Sequence, residues 1–153
     1  MRGLRYCLLL APLLTAAPAS AADVTFSGTL TGICTLALST PGTLGLTAGG
    51  VLSSTAGLPA VLAILSIGTN TLTVNPPVWD STPGGYTAGT EVAEVAYSGL
   101  SGLGIADQPF TPSVTTRPIS TLPLSLLTVQ AEATNSNGFA AGDYEMKVVV
   151  TCS

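Results

Sequence analysis

No histidine occurs in this 153-residue chain, which removes the commonest general base and the usual zinc ligand. Charge is nearly as scarce: only 8% of residues are charged, with four Lys or Arg against eight Asp or Glu. So few cations exclude a basic nucleic-acid footprint and electrostatic attraction to anionic lipid. Beyond the N-terminal region the longest apolar run is Leu58 to Ile67, "LPAVLAILSI", too short for a membrane-spanning helix. Aromatics are 5% of the chain, too few for the interfacial girdles of a small outer-membrane barrel. Disorder is excluded as well, because hydrophobic residues make up 46% and disordered chains combine low hydrophobicity with high charge.

What is present begins with "MRGLRYCLLLAPLLTAAPASAAD", where Arg2 and Arg5 precede an apolar run and Ala19-Ser20-Ala21 follows. This order is that of a secretory signal peptide over 1–21, cut after Ala21 or Ala22. Pro12 and Pro18 break the run, which argues against a membrane anchor. Cys7 leaves with the signal. The remaining 22–153 is the length of one domain, with Arg117 and Lys147 its only cations and a formal charge of −6. Polar outward positions must then be filled by Thr, Ser, Asn and Gly, as in a secreted β-protein.

Two cysteines remain, Cys34 and Cys152, in a chain addressed to an oxidising compartment where disulfides persist. Each sits in an alternating segment. Val24, Phe26, Leu30, Cys34, Leu36 and Leu38 share one phase near the start; Tyr144, Met146, Val148, Val150 and Cys152 share one at the end, with Glu145, Lys147 and Thr151 on the other face. Period two marks half-buried strands, so both cysteines face inward, and a bridge between them ties the first strand to the last. A metal site lacks further ligands, and a redox pair is usually a close C-x-x-C unit.

Between them run "TLGLT", "AVLAILSI", "TLTVN", "EVAEVAYSG" and "PLSLLTVQAEAT", separated by turn-forming stretches such as "STPG", "TAGG", "NPP", "DSTPGG", "TPSVTTRP" and "NSNGFAAG". With the two terminal segments this makes about seven antiparallel strands, the pattern of an all-β sandwich. "AVLAILSI" is read as a strand crossing the core, although an apolar run alone also suits a short helix.

The opening "VTFSGTLTGICTLAL" and the ending "GFAAGDYEMKVVV" resemble the first and last strands of chaperone-usher pilins and the related spore coat U type domains. The resemblance covers some fourteen residues at each end. It implies an immunoglobulin-like sandwich exported to the periplasm or cell surface, one that can lack a strand supplied by a neighbouring subunit or a periplasmic chaperone. Two features depart from the family pattern. Pilins usually pair the early cysteine with one on the following strand, and polymerising pilins carry a donor segment ahead of the Phe-x-Gly motif, where here only Ala22 to Thr25 precede Phe26. A tip or adaptor subunit fits both departures, as does a self-complete sandwich.

The catalytic inventory is thin. Lys147 is the sole lysine and lies on an outward strand face. "GLSGLG" at Gly99 to Gly104 lacks the G-x-G-x-x-G spacing and a following helix. Glu91 and Glu94, three apart, face opposite sides of a strand. Asn135, Asn137 and Asp143 flank a glycine-rich turn and suit calcium less well than they suit turn hydrogen bonding. Trp79 and Tyr86, in "NPPVWDSTPGGY", form an aromatic loop feature that could line a partner or carbohydrate surface or plug the end of the sandwich. The expectation is a secreted structural or adhesive subunit without enzymatic activity, cofactor or metal. The second expectation is a monomeric binding module for a small ligand or glycan at Trp79 and Tyr86.

Overall fold

The computed structural model describes residue 27 and residues 32–99, 105–120 and 122–153. The signal-peptide reading, the Phe26-x-Gly28 motif and most of "GLSGLG" lie outside the described residues. The described residues form strands without helix: β1 (Ile33–Thr40), β2 (Thr43–Leu46), β3 (Leu52–Leu58), β4 (Ala60–Ile67), β5 (Asn70–Val74), β6 (Val78–Ser81), β7 (Glu91–Gly99), β8 (Gln108–Thr111), β9 (Thr115–Ile119), β10 (Leu122–Asn135), β11 (Glu145–Lys147) and β12 (Val150–Cys152). Every pairing is antiparallel.

Prolines divide long ribbons into these short pieces. β1 and β2 form one arm of a hairpin and β3 and β4 the other, with register running from Ile33↔Ile67 through Leu38↔Leu62 to Leu46↔Leu52. Pro41 interrupts one arm and Pro59 the other, since proline has no N–H to give to a ladder. A second ribbon pairs β5 and β6 with β12 and β11, from Cys152↔Leu72 to Lys147↔Val78, and breaks at Pro76-Pro77.

The main sheet has seven strands. β10, fourteen residues long, pairs β4 on one side and β7 on the other, β1 borders β4, and β8 borders β7. A smaller sheet runs β12-β5-β9, and β6-β11 forms a two-stranded piece. Ile64, Val95 and Leu127 of the main sheet and Leu72 and Val74 of the smaller one are fully buried in one cluster, so the core lies between the two. The disulfide Cys34–Cys152 spans 5.8 Å between Cα atoms and packs against that cluster. It joins β1 to β12, the first and last strands.

Each of the seven expected segments contains strand among the described residues, the first from Ile33 onward and the last as β11 and β12, and "AVLAILSI" is β4. Four more were not foreseen as strands: β3, β6, β8 and β9. The reading of "TPSVTTRP" as a separator is corrected by β9, and that of Trp79 as a loop residue by β6. Pro109 and Pro118 lie in β8 and β9, each paired on one side only, and an edge strand tolerates proline because its outer N–H has no ladder partner.

Candidate functional site

β1 is hydrogen-bonded along one side only, to β4, and β12 only to β5. Past the disulfide, no ladder bridges the side carrying β1 and β2 and the side carrying β11 and β12 among the described residues. Between them lies an open groove of about 950 Å³. Its apolar lining includes Leu44, Leu52, Leu62, Val129, Met146 and Val148. Asp80, Asp143, Glu145 and Lys147 also border it, so that end is mostly acidic.

Local sequence explains the lining. The phase read for the last strand holds: Tyr144, Met146, Val148, Val150 and Cys152 are half-buried, while Glu145, Lys147, Val149 and Thr151 are exposed. On β1, Cys34 and Leu36 are half-buried in the expected phase, but Leu38 is 62% exposed. Leu38 borders the groove, so it points inward to a place that no strand of the described chain fills.

Beside the groove sits an aromatic cluster. Trp79 on β6 packs against Tyr86, Phe139 and Tyr144, with ring centroids 5.9, 6.2 and 5.6 Å away, within the range of favourable ring contacts. The Glu91 carboxylate accepts the Trp79 indole N–H at 3.2 Å and the Tyr86 hydroxyl. Partial burial first, and the Glu91 carboxylate second, push the Tyr86 phenol up to about 12. Trp79 and Tyr86 are thus brought together as the sequence suggested. Their rings are half-buried and partnered by Phe139 and Tyr144, which sequence reading did not connect to them. The shared phase of Tyr144 and Met146 was the available signal.

The turn flanked by Asn135 and Asn137 is a hydrogen-bonded clamp. Asn135 Oδ1 accepts Gly89 N–H at 2.9 Å and Asn137 N–H at 3.1 Å, and its Nδ2 donates to Thr87 O and Gly138 O, both at 2.9 Å. Ser136 Oγ accepts Thr90 N–H at 2.8 Å. These bonds fasten the loop carrying Tyr86 to the end of β10, so the asparagines stand in the turn-bonding role weighed against calcium. Glu91 and Glu94 lie apart in function: Glu91 serves the aromatic cluster, and Glu94 stands opposite Glu132 on β10.

Comparison with family models, with characterised proteins and with solved structures finds no significant match to this chain.

Proposed function

We propose that this chain is a secreted, non-enzymatic structural or adhesive subunit of a bacterial surface appendage or coat, built as an immunoglobulin-like sandwich that is one strand short. The groove between β1 and β12 is where an extended strand from a neighbouring pilin-like subunit or a periplasmic chaperone adds. The observation that carries this reading is the pair of one-sided edges, on β1 and β12, flanking an apolar groove. Strand addition uses such edges for main-chain hydrogen bonds and the lining pockets for alternate side chains. An open apolar cleft beside unpaired edges is otherwise a liability in an exported protein. The signal-like 1–21 and the lack of a catalytic constellation support the same reading.

The test is to export the chain to a bacterial periplasm and compare boiled and unboiled fractions on a denaturing gel. A ladder, or a chaperone-bound species that collapses on boiling, is expected, and Met146→Lys should abolish it by placing a charge in the apolar lining. A single monomer in both lanes overturns the proposal. The second reading, a binding module for a small ligand or glycan, is favoured by the half-buried Trp79 and Tyr86 rings beside the Glu91 acceptor; in that case Trp79→Ala removes ligand binding while the monomer stays folded.

A further inference from the structure

The asparagines of the chain are Asn70, Asn75, Asn135 and Asn137, and the fold gives them unequal chemistry. An asparagine loses its amide when the main-chain nitrogen of the next residue attacks its Cγ, so that nitrogen must carry a proton it can give up and must reach the side chain. Asn75 precedes Pro76, whose nitrogen has no proton. Asn70 is buried, and its Nδ2 donates to Ser66 Oγ, Ile33 O and Ile67 O. Asn135 is buried with both ends of its amide bonded. Asn137 alone is both exposed and followed by a glycine, Gly138, which has no Cβ to hinder the approach.

The closed turn occupies both reacting groups. Gly138 N–H donates to Asn135 O at 2.9 Å, and Asn137 donates through its N–H to Asn135 Oδ1 and through Nδ2 to Ala88 O, both at 3.1 Å. Thr87 to Thr90 on one side of this contact and Ser136 to Gly138 on the other are all exposed, so water competes for these bonds and the turn opens locally at low cost. We propose that Asn137 is a site of spontaneous modification. In the opened turn the Gly138 nitrogen gives its proton to water and bonds to Asn137 Cγ, ammonia leaves, and a second water opens the resulting succinimide ring to a carboxylate. The reaction needs no enzyme or partner and stands apart from strand addition.

Water opens the ring at either carbonyl. One product is an aspartate at 137, which turns an acceptor towards Ala88 O where the amide had donated. The other routes the main chain through the former side chain and lengthens the turn by one carbon. Both lose the amide bond that joins the turn to the loop carrying Tyr86. The lengthened product also shifts Phe139, next after Gly138, away from Trp79, Tyr86 and Tyr144, whose ring centroids lie 6.2, 6.3 and 5.5 Å from its own. A passing opening of the turn is thereby made permanent, with the aromatic cluster loosened and a negative charge added beside it.

Incubating the exported, disulfide-closed chain in warm, mildly alkaline buffer, with fragment mass spectrometry to place each change, tests it. A gain of about 1 Da, NH2 exchanged for OH, is expected at Asn137 and not at Asn70, Asn75 or Asn135. Asn137→Gln should suppress it, because the longer side chain would have to close a larger ring. Since the opened turn is the reacting form, Asn135→Ala should speed the gain at least about fivefold, the effect of losing one hydrogen bond on the opening equilibrium. Ser136→Ala, which removes the bond to Thr90 N–H at an exposed residue, should act in the same direction and serves if the buried Asn135 variant does not fold. The modified fraction, separated by its added charge, should show red-shifted emission from Trp79, the only tryptophan, and faster amide exchange at Gly89 and Thr90. No gain at Asn137 in the folded chain overturns the proposal. So does a rate that neither clamp variant changes, or a modified fraction that keeps the emission and exchange of the parent.

Discussion

Tyr86 is the residue whose titration the fold alters most visibly. Its hydroxyl donates to Glu91, and only the neutral phenol can do so; an ionised one would face the carboxylate as a like charge. Partial burial first, and the Glu91 carboxylate after it, make the folded chain hold the proton up to about 12, against 10.0 for the free group. The unfolded chain releases it first as pH rises, so it binds fewer protons than the native state between those values, and stability falls there. The contribution of Tyr86 is fully present below pH 10 and is lost as pH climbs towards 12. Chemical denaturation at a series of alkaline pH values should show this decline, and Tyr86→Phe should flatten it. An unchanged slope in Tyr86→Phe would separate alkaline sensitivity from this hydrogen bond.

At the scale of elements, close approach of strands sets the tolerance to substitution. β2 and β3 cross where Gly45 and Gly57 face backbone: a Cβ on Gly45 would sit 2.6 Å from Ala56 O, and one on Gly57 would collide with Thr43 O. Neither obstacle is a flexible side chain, so the ribbon itself would have to part. Gly57→Ala should cost about 1–3 kcal/mol, the usual penalty for overpacking, measured as a lower denaturant midpoint with an unchanged slope. A neutral result would show that β2 can lift from β3 freely. The strands legible by alternation were those at the two ends, β1 and the pair β11 and β12, because their phase reports a buried face; β7 was legible only as an apolar run between turn signals. The four missed ones have other reasons. β8 and β9 contain Pro109 and Pro118, which read as turn signals until their edge positions are known. β3 reads as polar because Ser53 and Ser54 are buried through hydrogen bonds, Ser53 to Thr55 and Glu132, and Ser54 to the Ala131 N–H at 3.0 Å. β6 was masked by the flanking Pro76-Pro77 and Pro83. The groove was not legible from the residues themselves, since it lies between strands far apart in sequence, and only the resemblance at the chain ends pointed to an open sandwich; the aromatic cluster was half legible, through Trp79 and Tyr86, with Phe139 and Tyr144 joined to them only by tertiary pairing.

For the whole molecule, the disulfide closes a loop spanning 118 residues between two strands that each have a single ladder partner. Loop-closure entropy for that length gives about 4–5 kcal/mol, an upper figure because strain and residual structure in the unfolded chain reduce it. The loss should be unevenly distributed. β4, β7 and β10 are laddered on both sides and hold most of the main-sheet core residues, so their native packing does not depend on the bridge. β12 relies on β5 alone, through Val150↔Val74 to Cys152↔Leu72 and the paired backbone bonds of Thr71 with Ser153, at 2.6 and 3.0 Å. Replacing Cys34 and Cys152 together by Ser should therefore lower global stability by up to that amount and, in hydrogen exchange under native conditions, expose the amides of β12 well before those of β10. Uniform loss of protection would mean that the bridge acts only on the unfolded chain. Retained stability with rapid exchange confined to β12 would mean that its main action is local, holding the last strand at the closed end of the groove.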